Sequence, residues 1–504
     1  MEDNFRKQSV NLLGEIRIFT PKAVYVNGSD ESGISFVTEN GKITLLGATE
    51  KIKERYPFAR QEFLDGFVYP SFFDAHVHLS QLALLLSSVD ATDVSDFTEL
   101  KQLLKGKKES SIFVYNLDFN KINESEFVNL FESNLKVFIQ SRDEHSVFVS
   151  KALLNEKNIR IEDVEGGGLL YVNGSFAGVF KDNAISLVKN LRKSVDSIEM
   201  LKKDETYFLS RGITSIVNFD FDTYNILKLE KDNMNLRVVQ GIQKEYLNEF
   251  IKEGVRTNEG DQKLKIGAVK CFLDGSLGSQ TAYMKNAFPF KGLLTMAEEE
   301  FKNIVMLANT NGIQVAVHAI GSGAVNIALR TLKNYSNPAM RNRIEHLQFI
   351  DTGDLELLRD TNFIASMQPI HAISDYYLYK KFMSDFRYAY AWRTVQSAGK
   401  VIAFGSDAPV EDANPIIGMY AASYRKTLDS GLVYLQEETI PLQEALRAYT
   451  LGAAYASFSE SYLGELKENF LADFVLLDNS LLSDKILERK VLATYIGGEL
   501  VWMR

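Results

Sequence analysis

From residue 66 to residue 407, apolar segments of strand length recur with amphipathic segments between them, and this rhythm limits the fold more than any other feature. The strand-like segments are Gly66–Phe73, Ile213–Phe219, Leu236–Ile242, Ile266–Leu273, Ile313–Ile320, Arg343–Gln348, Phe363–Gln368 and Val401–Asp407. Glu298–Ala308 and Val195–Ser210 carry apolar residues at helical spacing, the second followed by Gly212 as a stop. Strands alternating with helices are parallel βα units, and eight of them close into a (β/α)8 barrel. An open doubly wound sheet would need a glycine-rich phosphate loop after an early strand, and none follows His78.

The flanks read differently. Gly14–Phe19, Ala23–Val26, Gly33–Val37 and Lys42–Leu46 are short strands punctuated by Asn27-Gly28 and Asn40-Gly41, and predict a small antiparallel sheet. Ala472–Asp478 and Val491–Ile496 repeat the style, with a hairpin turning at Gly497-Gly498. Such a sheet cannot bury both faces alone. The expectation is one composite, β-sandwich-like domain from residues 1–67 and 462–504, beside a barrel over 68–461. Residues 79–194 lack the rhythm. They mix helical patterns with strands such as Ser111–Tyr115 and Val137–Gln140, and Gly166-Gly167-Gly168 reads as a flexible break. They predict a subdomain inserted after the first barrel strand.

Barrel chemistry sits at the C-terminal ends of the strands. The first strand brings His76 and His78, two apart and therefore facing one way, a pair able to grip one metal ion. The fourth brings Lys270, the fifth His318, the sixth His346 and the eighth Asp407, so four of the chain's six histidines stand at strand ends. His371 follows the seventh strand and points to the same face. Each residue alone has an ordinary alternative: a core histidine for His318, an ion pair with Glu345 for His346, a turn cap for Asp407. Lys270 is the odd one, because a lysine facing a barrel interior without a partner is costly.

A net charge of −10 argues against a nucleic-acid partner, which calls for a basic face. No apolar run reaches the roughly 18 residues needed to span a bilayer. Met1–Gln8 is polar and lacks the apolar core of a secretion signal. The single cysteine, Cys271, rules out an internal disulfide and fits a reducing compartment. These features predict a cytoplasmic protein with no nucleic-acid or membrane partner. The 33 Phe and 22 Tyr suffice for a large core and an aromatic-lined pocket.

As a set, Phe73–His78, Lys270–Ser279, His318–Gly321, Arg343–His346, Met367–Pro369 and Gly405–Val410 resemble the third amidohydrolase family, a branch of the amidohydrolase superfamily. Glu444–Thr450, Gly464-Glu-Leu and Leu471–Phe474 extend the resemblance into the tail. It implies a metal-dependent hydrolase that cleaves a carbon–nitrogen bond of a small molecule (amide, N-formyl, N-acyl or cyclic amide) with a metal-activated water. By that resemblance His76 and His78 bind one divalent ion, with zinc the first expectation, and His318 and His346 bind a second. Lys270, carbamylated, would bridge the two, which removes the repulsion a cationic amine would exert. Asp407 would ligate the first ion and accept a proton from the water, and His371 would contact substrate or transition state. His145, in the insertion motif Ser141–Leu153, joins Asp274, Gln280 and Trp392 as expected pocket residues. Asp74 and Glu345 either orient ligands or are ordinary turn and ion-pair residues. A homodimer is expected on family grounds alone.

The chain departs from the family pattern at Glu144, Val149, Ser322-Gly323 and Asn116-Leu-Asp118, all but one of these in the insertion. That predicts retained metal chemistry and a diverged substrate. Ester or lactone hydrolysis on the same site is an alternative. So is a heterocycle deaminase, although such enzymes lack the fourth-strand lysine, and so is a catalytically silent binding protein.

Overall fold

The computed structural model describes residues 15–105, 111–191, 195, 197–286, 290–384 and 386–504. Eight parallel strands form the central sheet: β1 (Phe72–Val77), β2 (Ile213–Asn218), β3 (Arg237–Gln243), β4 (Leu264–Phe272), β5 (Val315–Ala319), β6 (Arg343–His346), β7 (Ile364–Met367) and β8 (Val401–Phe404). Each pairs with the next in chain order. The sheet curls into a nearly closed barrel. Its seam is stitched just beyond β8, where Asp407 N donates to His76 O and His78 N to Ala408 O, both at 2.8 Å. The amphipathic helices Ile198–Leu209, Glu298–Thr310 and Ser322–Tyr335 follow the predicted rhythm.

Two apolar layers hold the barrel. Between strands and helices, Ile216, Val269, Val317 and Ile344 pack against Phe208, Phe301, Val305 and Leu329. Inside, Phe73, Ala75, Val217, Val239, Ala268, Ala316, Ile364 and Ala403 meet Ala453, Ala454 and Leu463, which close the floor. Burying a Val, Leu, Ile or Phe side chain is worth roughly 1.5–3 kcal/mol, so this packing drives the closure.

Strands from both chain ends share one eight-stranded sheet, ordered Glu499–Met503, Val491–Ile496, Phe474–Leu477, Arg60–Pro70, Arg17–Val26, Ile34–Glu39, Lys42–Ala48, with Ser29–Glu31 beside Arg17–Val26. It departs from the expected all-antiparallel arrangement in one place. Arg17–Val26 runs parallel to Arg60–Pro70. Arg17–Val26 also passes through Pro21 as one strand where two were expected, tolerating the proline at a register shift. The apolar run 66–73 likewise proves to be two strands in different sheets. Ser71 N bonds to Asp473 O in the terminal sheet, and Phe72 N bonds to Gly212 O in the barrel. Gly212 is required at that junction: its φ is +78°, and a Cβ there would lie 2.7 Å from Val475 Cγ2.

Residues 79–194 hold a separate six-stranded sheet with its own core, including Val114, Phe127, Ile139, Phe148 and Phe180. Here the glycine triplet is no flexible break. Gly167 opens strand Gly167–Val172, and a Cβ on it would sit 2.3 Å from Ala184 N, so the glycines permit close packing. Among the described residues, no helix is long and apolar enough to cross a membrane.

Candidate metal centre and active site

His76 ends β1 with its imidazole fully buried, and its Nδ1–H donates to Glu345 Oε2 at 2.7 Å. Glu345 is fixed in turn by Arg343, through Nε at 2.7 Å and Nη2 at 3.0 Å. Arg343 also donates to Ala75 O and to Ser366 Oγ inside the barrel. A guanidinium so placed holds the Glu345 carboxyl ionised against the cost of its burial. His78 is tied the same way: Nδ1–H donates to Asp220 Oδ1 at 2.7 Å, while Asp220 Oδ2 accepts from Ser80 Oγ and Gln81 N. With both Nδ1 atoms committed to carboxylates, both Nε2 atoms are aimed inward. Burial opposes a charge on His78, but Asp220 outweighs it and raises this residue well above the usual imidazole range. Each Nε2 lies 3.3 Å from the same atom, Asp407 Oδ1.

The other carboxylate oxygen faces the opposite side. Asp407 Oδ2 is 3.3 Å from His371 Nε2 and 3.9 Å from His346 Nδ1, an atom with no hydrogen-bond partner. His318 stands 4.4 Å from the His346 ring and donates Nε2–H to Gly275 O, which leaves its Nδ1 as the lone-pair atom. Lys270 Nζ lies 3.1 Å from His76 Nε2 and over the Phe219 ring. His145 reaches in from the insertion, its ring 5.2 Å from that of His318 and its Nδ1 on Asp182 Oδ1 at 2.7 Å. All six histidines of the chain thus form one cluster, linked by ring separations of 4.4 to 6.2 Å. The backbone here is held in an uncommon conformation. His346 and Asp407, neither a glycine, have φ of +70° and +63°, a strain that persists where surroundings enforce it.

The electrostatics divide the cluster. Burial and the Lys270 charge push His76 down to about 4, and burial drives His318 and His346 well below the usual imidazole range. Neutral imidazoles are the form that binds a metal. His371 goes the other way. Burial opposes its charge, but hydrogen bonds to Asp407 and Glu411 carry it up to about 10. Burial lowers the Lys270 amine to about 8. Asp407 stays ionised despite burial, because the surrounding histidines favour its anion.

The sets His76, His78, Asp407 and His346, His371, Asp407 each bring three candidate donor atoms within 4.8 Å of one another. Imidazole nitrogen with carboxylate oxygen suits zinc and other first-row divalent ions. The bare His346 Nδ1 fits the same reading, since a buried ring nitrogen without a partner is otherwise costly. The second set contains His371 and not His318, but the hydrogen bonds that raise His371 toward its cationic form disfavour it as a ligand, while His318 stands beside His346.

One expected pocket residue, Trp392, belongs to the core, and another, Gln280, lies in a turn of the loop after β4. Trp392 is fully buried in the core, its Nε1–H on Ala422 O and its ring beneath the Arg425 guanidinium. Gln280 is exposed in a turn at φ +59°. Asp274 is in place but acts on the backbone, accepting N–H groups of Ile320, Gly321 and Tyr283. It thereby ties the loop after β4 to the loop after β5. Asp74 pins the barrel seam by accepting from His76 N and Ser406 N. Sequence reasoning missed Asp220, Asp182 and Glu411. The first was findable, since it stands two residues beyond β2, where strand-end chemistry belongs.

The sequence pattern of the amidohydrolase family matches residues 65–502 of the chain. The chain belongs to the third amidohydrolase family. It is 28% identical to Protein LONG AFTER FAR-RED 3 of Arabidopsis thaliana over 92% of this chain and 88% of that one. It is 21% identical to the N-substituted formamide deformylase of Arthrobacter pascens over 98% and 99%. Among solved structures, an uncharacterized metal-dependent hydrolase from Pyrococcus horikoshii shares the fold at a TM-score of 0.77 and 24% identity, covering 94% of this chain and 99% of that one. The family is one of metal-dependent hydrolases, and the histidine–aspartate cluster is where this member would hold its metal.

Proposed function

We propose that this member hydrolyses a carbon–nitrogen bond of a small molecule: an amide, an N-formyl or N-acyl group, or a cyclic amide. The observation that carries the reading is the convergence of His76, His78, Lys270, His318, His346 and Asp407 at one end of the barrel. His76, His78 and Asp407 would hold one ion, and Lys270, His318 and His346 would complete a second position. A divalent ion there lowers the pKa of a bound water toward neutrality and polarises a carbonyl.

The chain's own residues supply the rest. Asp407, kept anionic, is placed to accept a proton. His371, kept cationic between Asp407 and Glu411, is placed to stabilise a developing oxyanion by its charge. Lys270 lies beside His76 with its amine pKa lowered, which favours addition of carbon dioxide: the nitrogen lone pair bonds carbon, a proton leaves, and a carbamate anion results. The formamide deformylase relative supports an N-formyl group within the substrate range.

The test is metal content per chain by elemental analysis, followed by turnover of N-formyl amines, N-acyl amines and lactams by the zinc- or manganese-loaded protein. About two ions per chain with turnover supports the bridged site. About one points to a single ion with Asp407 as base. No metal after reconstitution in bicarbonate, with no turnover, overturns the proposal in favour of a silent scaffold.

A further inference from the structure

Gln368, in the Met367-Gln368-Pro369 motif, has no assigned work, yet it lies at the mouth of the barrel. It follows β7 directly with extended dihedrals, φ −119° and ψ 98°, so the strand's alternation continues through it. Ile364 packs in the barrel interior, and Ser366 Oγ meets Arg343 inside. Gln368 is therefore the next inward position toward the catalytic end. The register pairs Glu345 with Ser366, which sets Gln368 level with the turn that carries His346. Its exposure is 2%, and neither Nε2 nor Oε1 has a hydrogen-bond partner among the described residues. Gln348, two residues past His346, is also buried, and its Oε1 is likewise unpartnered. Buried amides in folded proteins are almost always paired. Here two successive strand ends carry unpaired amide atoms within three residues of His346 and His371.

We propose that Gln368 is a specificity-determining residue that reads the amide edge of the substrate. The reading rests on the hydrolase assignment for the location of the reacting carbon. A carboxamide offers one N–H donor and one C=O acceptor side by side. Its complement is a group with C=O and N–H on the same edge. Lactams, cyclic ureides and primary carboxamides have that edge; open-chain trans amides present the two groups on opposite sides, and esters and lactones have no donor. Within the proposed range this favours a cyclic or primary amide over open-chain N-formyl and N-acyl amides, and it separates amide from ester hydrolysis at a site whose metal chemistry suits both. A site built to hydrogen-bond a substrate group discriminates strongly against the analogue that lacks it.

The experiment compares three rings of one shape, δ-valerolactam, N-methyl-δ-valerolactam and δ-valerolactone, on the zinc-loaded full chain. Binding is read by calorimetry, and turnover is followed in parallel. The expected result is tighter binding of the lactam than of either analogue by roughly 10-fold or more, with that ratio collapsing toward one in Gln368→Met. No preference in the unsubstituted protein overturns the proposal, and this includes failure to bind any ring. So does a preference that survives in Gln368→Met. The N-methyl comparison needs no variant, so misfolding of Gln368→Met cannot rescue the idea. Lactam-selective binding without cleavage sustains the recognition and sinks the hydrolase reading. Cleavage of all three rings without selectivity does the reverse.

Discussion

The two sides of the barrel mouth are built differently. On the β1 side, His76 and His78 each rest on a carboxylate that is itself held, by Arg343 for Glu345 and by Ser80 and Gln81 for Asp220. On the β6–β7 side, His346 Nδ1, Gln348 Oε1 and both amide atoms of Gln368 have no partner among the described residues. Asp407 stands between them, one oxygen toward each. The first side is pre-organised, so its ligands need little reordering to bind. The second leaves polar atoms to be satisfied by whatever the site takes up. The difference lies in the imidazoles, backed by carboxylates on one side and bare at His346 Nδ1 on the other; among the described residues, unpaired oxygens occur on both, at Asp74 and Gln81 as well as at Gln348 and Gln368.

The largest effect should come from the residue the two sides share. Asp407→Asn is expected to lower kcat roughly 10²–10⁴-fold with little change in melting temperature. Unchanged turnover would remove Asp407 from the mechanism. Glu345→Gln breaks the β1 side alone. It deprives His76 of its anionic support and leaves buried Arg343 without its counter-charge. Metal affinity should fall roughly 10–100-fold in a competition titration, and the metal-free protein should lose about 3–5 kcal/mol in denaturant melts.

A pH series on metal-free protein distinguishes individual histidines of the cluster by sign. His145 is carried up to about 9, where burial opposes its charge but Asp182 outweighs it. Its folded pKa lies above the unfolded value near 6.5. Its stabilising contribution is therefore full below that value and is lost as pH rises through about 9. His76, lowered to about 4, acts at the other end: stability should weaken as pH falls from about 6.5 toward 4. His145→Gln should make the alkaline limb shallower, with the part owed to His371 remaining, and spare the acid one, and thermal melts across pH would show it. The smallest effect belongs to the turn outside both sides. Gln280→Asn, a residue tolerant of positive φ, should change stability by no more than about 0.5 kcal/mol and leave kcat/KM alone.

The barrel was legible because its strands are buried on both faces and so read as apolar runs. Ionisable residues at their ends then stood out as exceptions. His76, His78, Lys270, His318, His346, His371 and Asp407 were all found that way, and all lie in the cluster. What holds them was not legible. His76 and Glu345 are 269 positions apart, and His78 and Asp220 are 142 apart, contacts that only the closed barrel creates. The run 66–73 hid a change of sheet, because Tyr69 and Phe72 are equally apolar on either side of it. Trp392 shows the converse error. A large aromatic residue near a motif is as useful to a core as to a pocket, and nothing local tells them apart.

The handover at Ser71 has a consequence for biosynthesis. Strand Arg60–Pro70 leads straight into the strand that carries His76 and His78, but one of its edges is covered by Phe474–Leu477. Arg17 meets Gly498 O across 481 positions of sequence. A ribosome makes residues 60–70 early and 474–498 only after every barrel strand has emerged, so that edge stays bare through most of translation. A product stopped short of Asp473 would contain every candidate ligand and still lack the hook for Ser71. In this protein a segment translated after every barrel strand fastens the first part of the site.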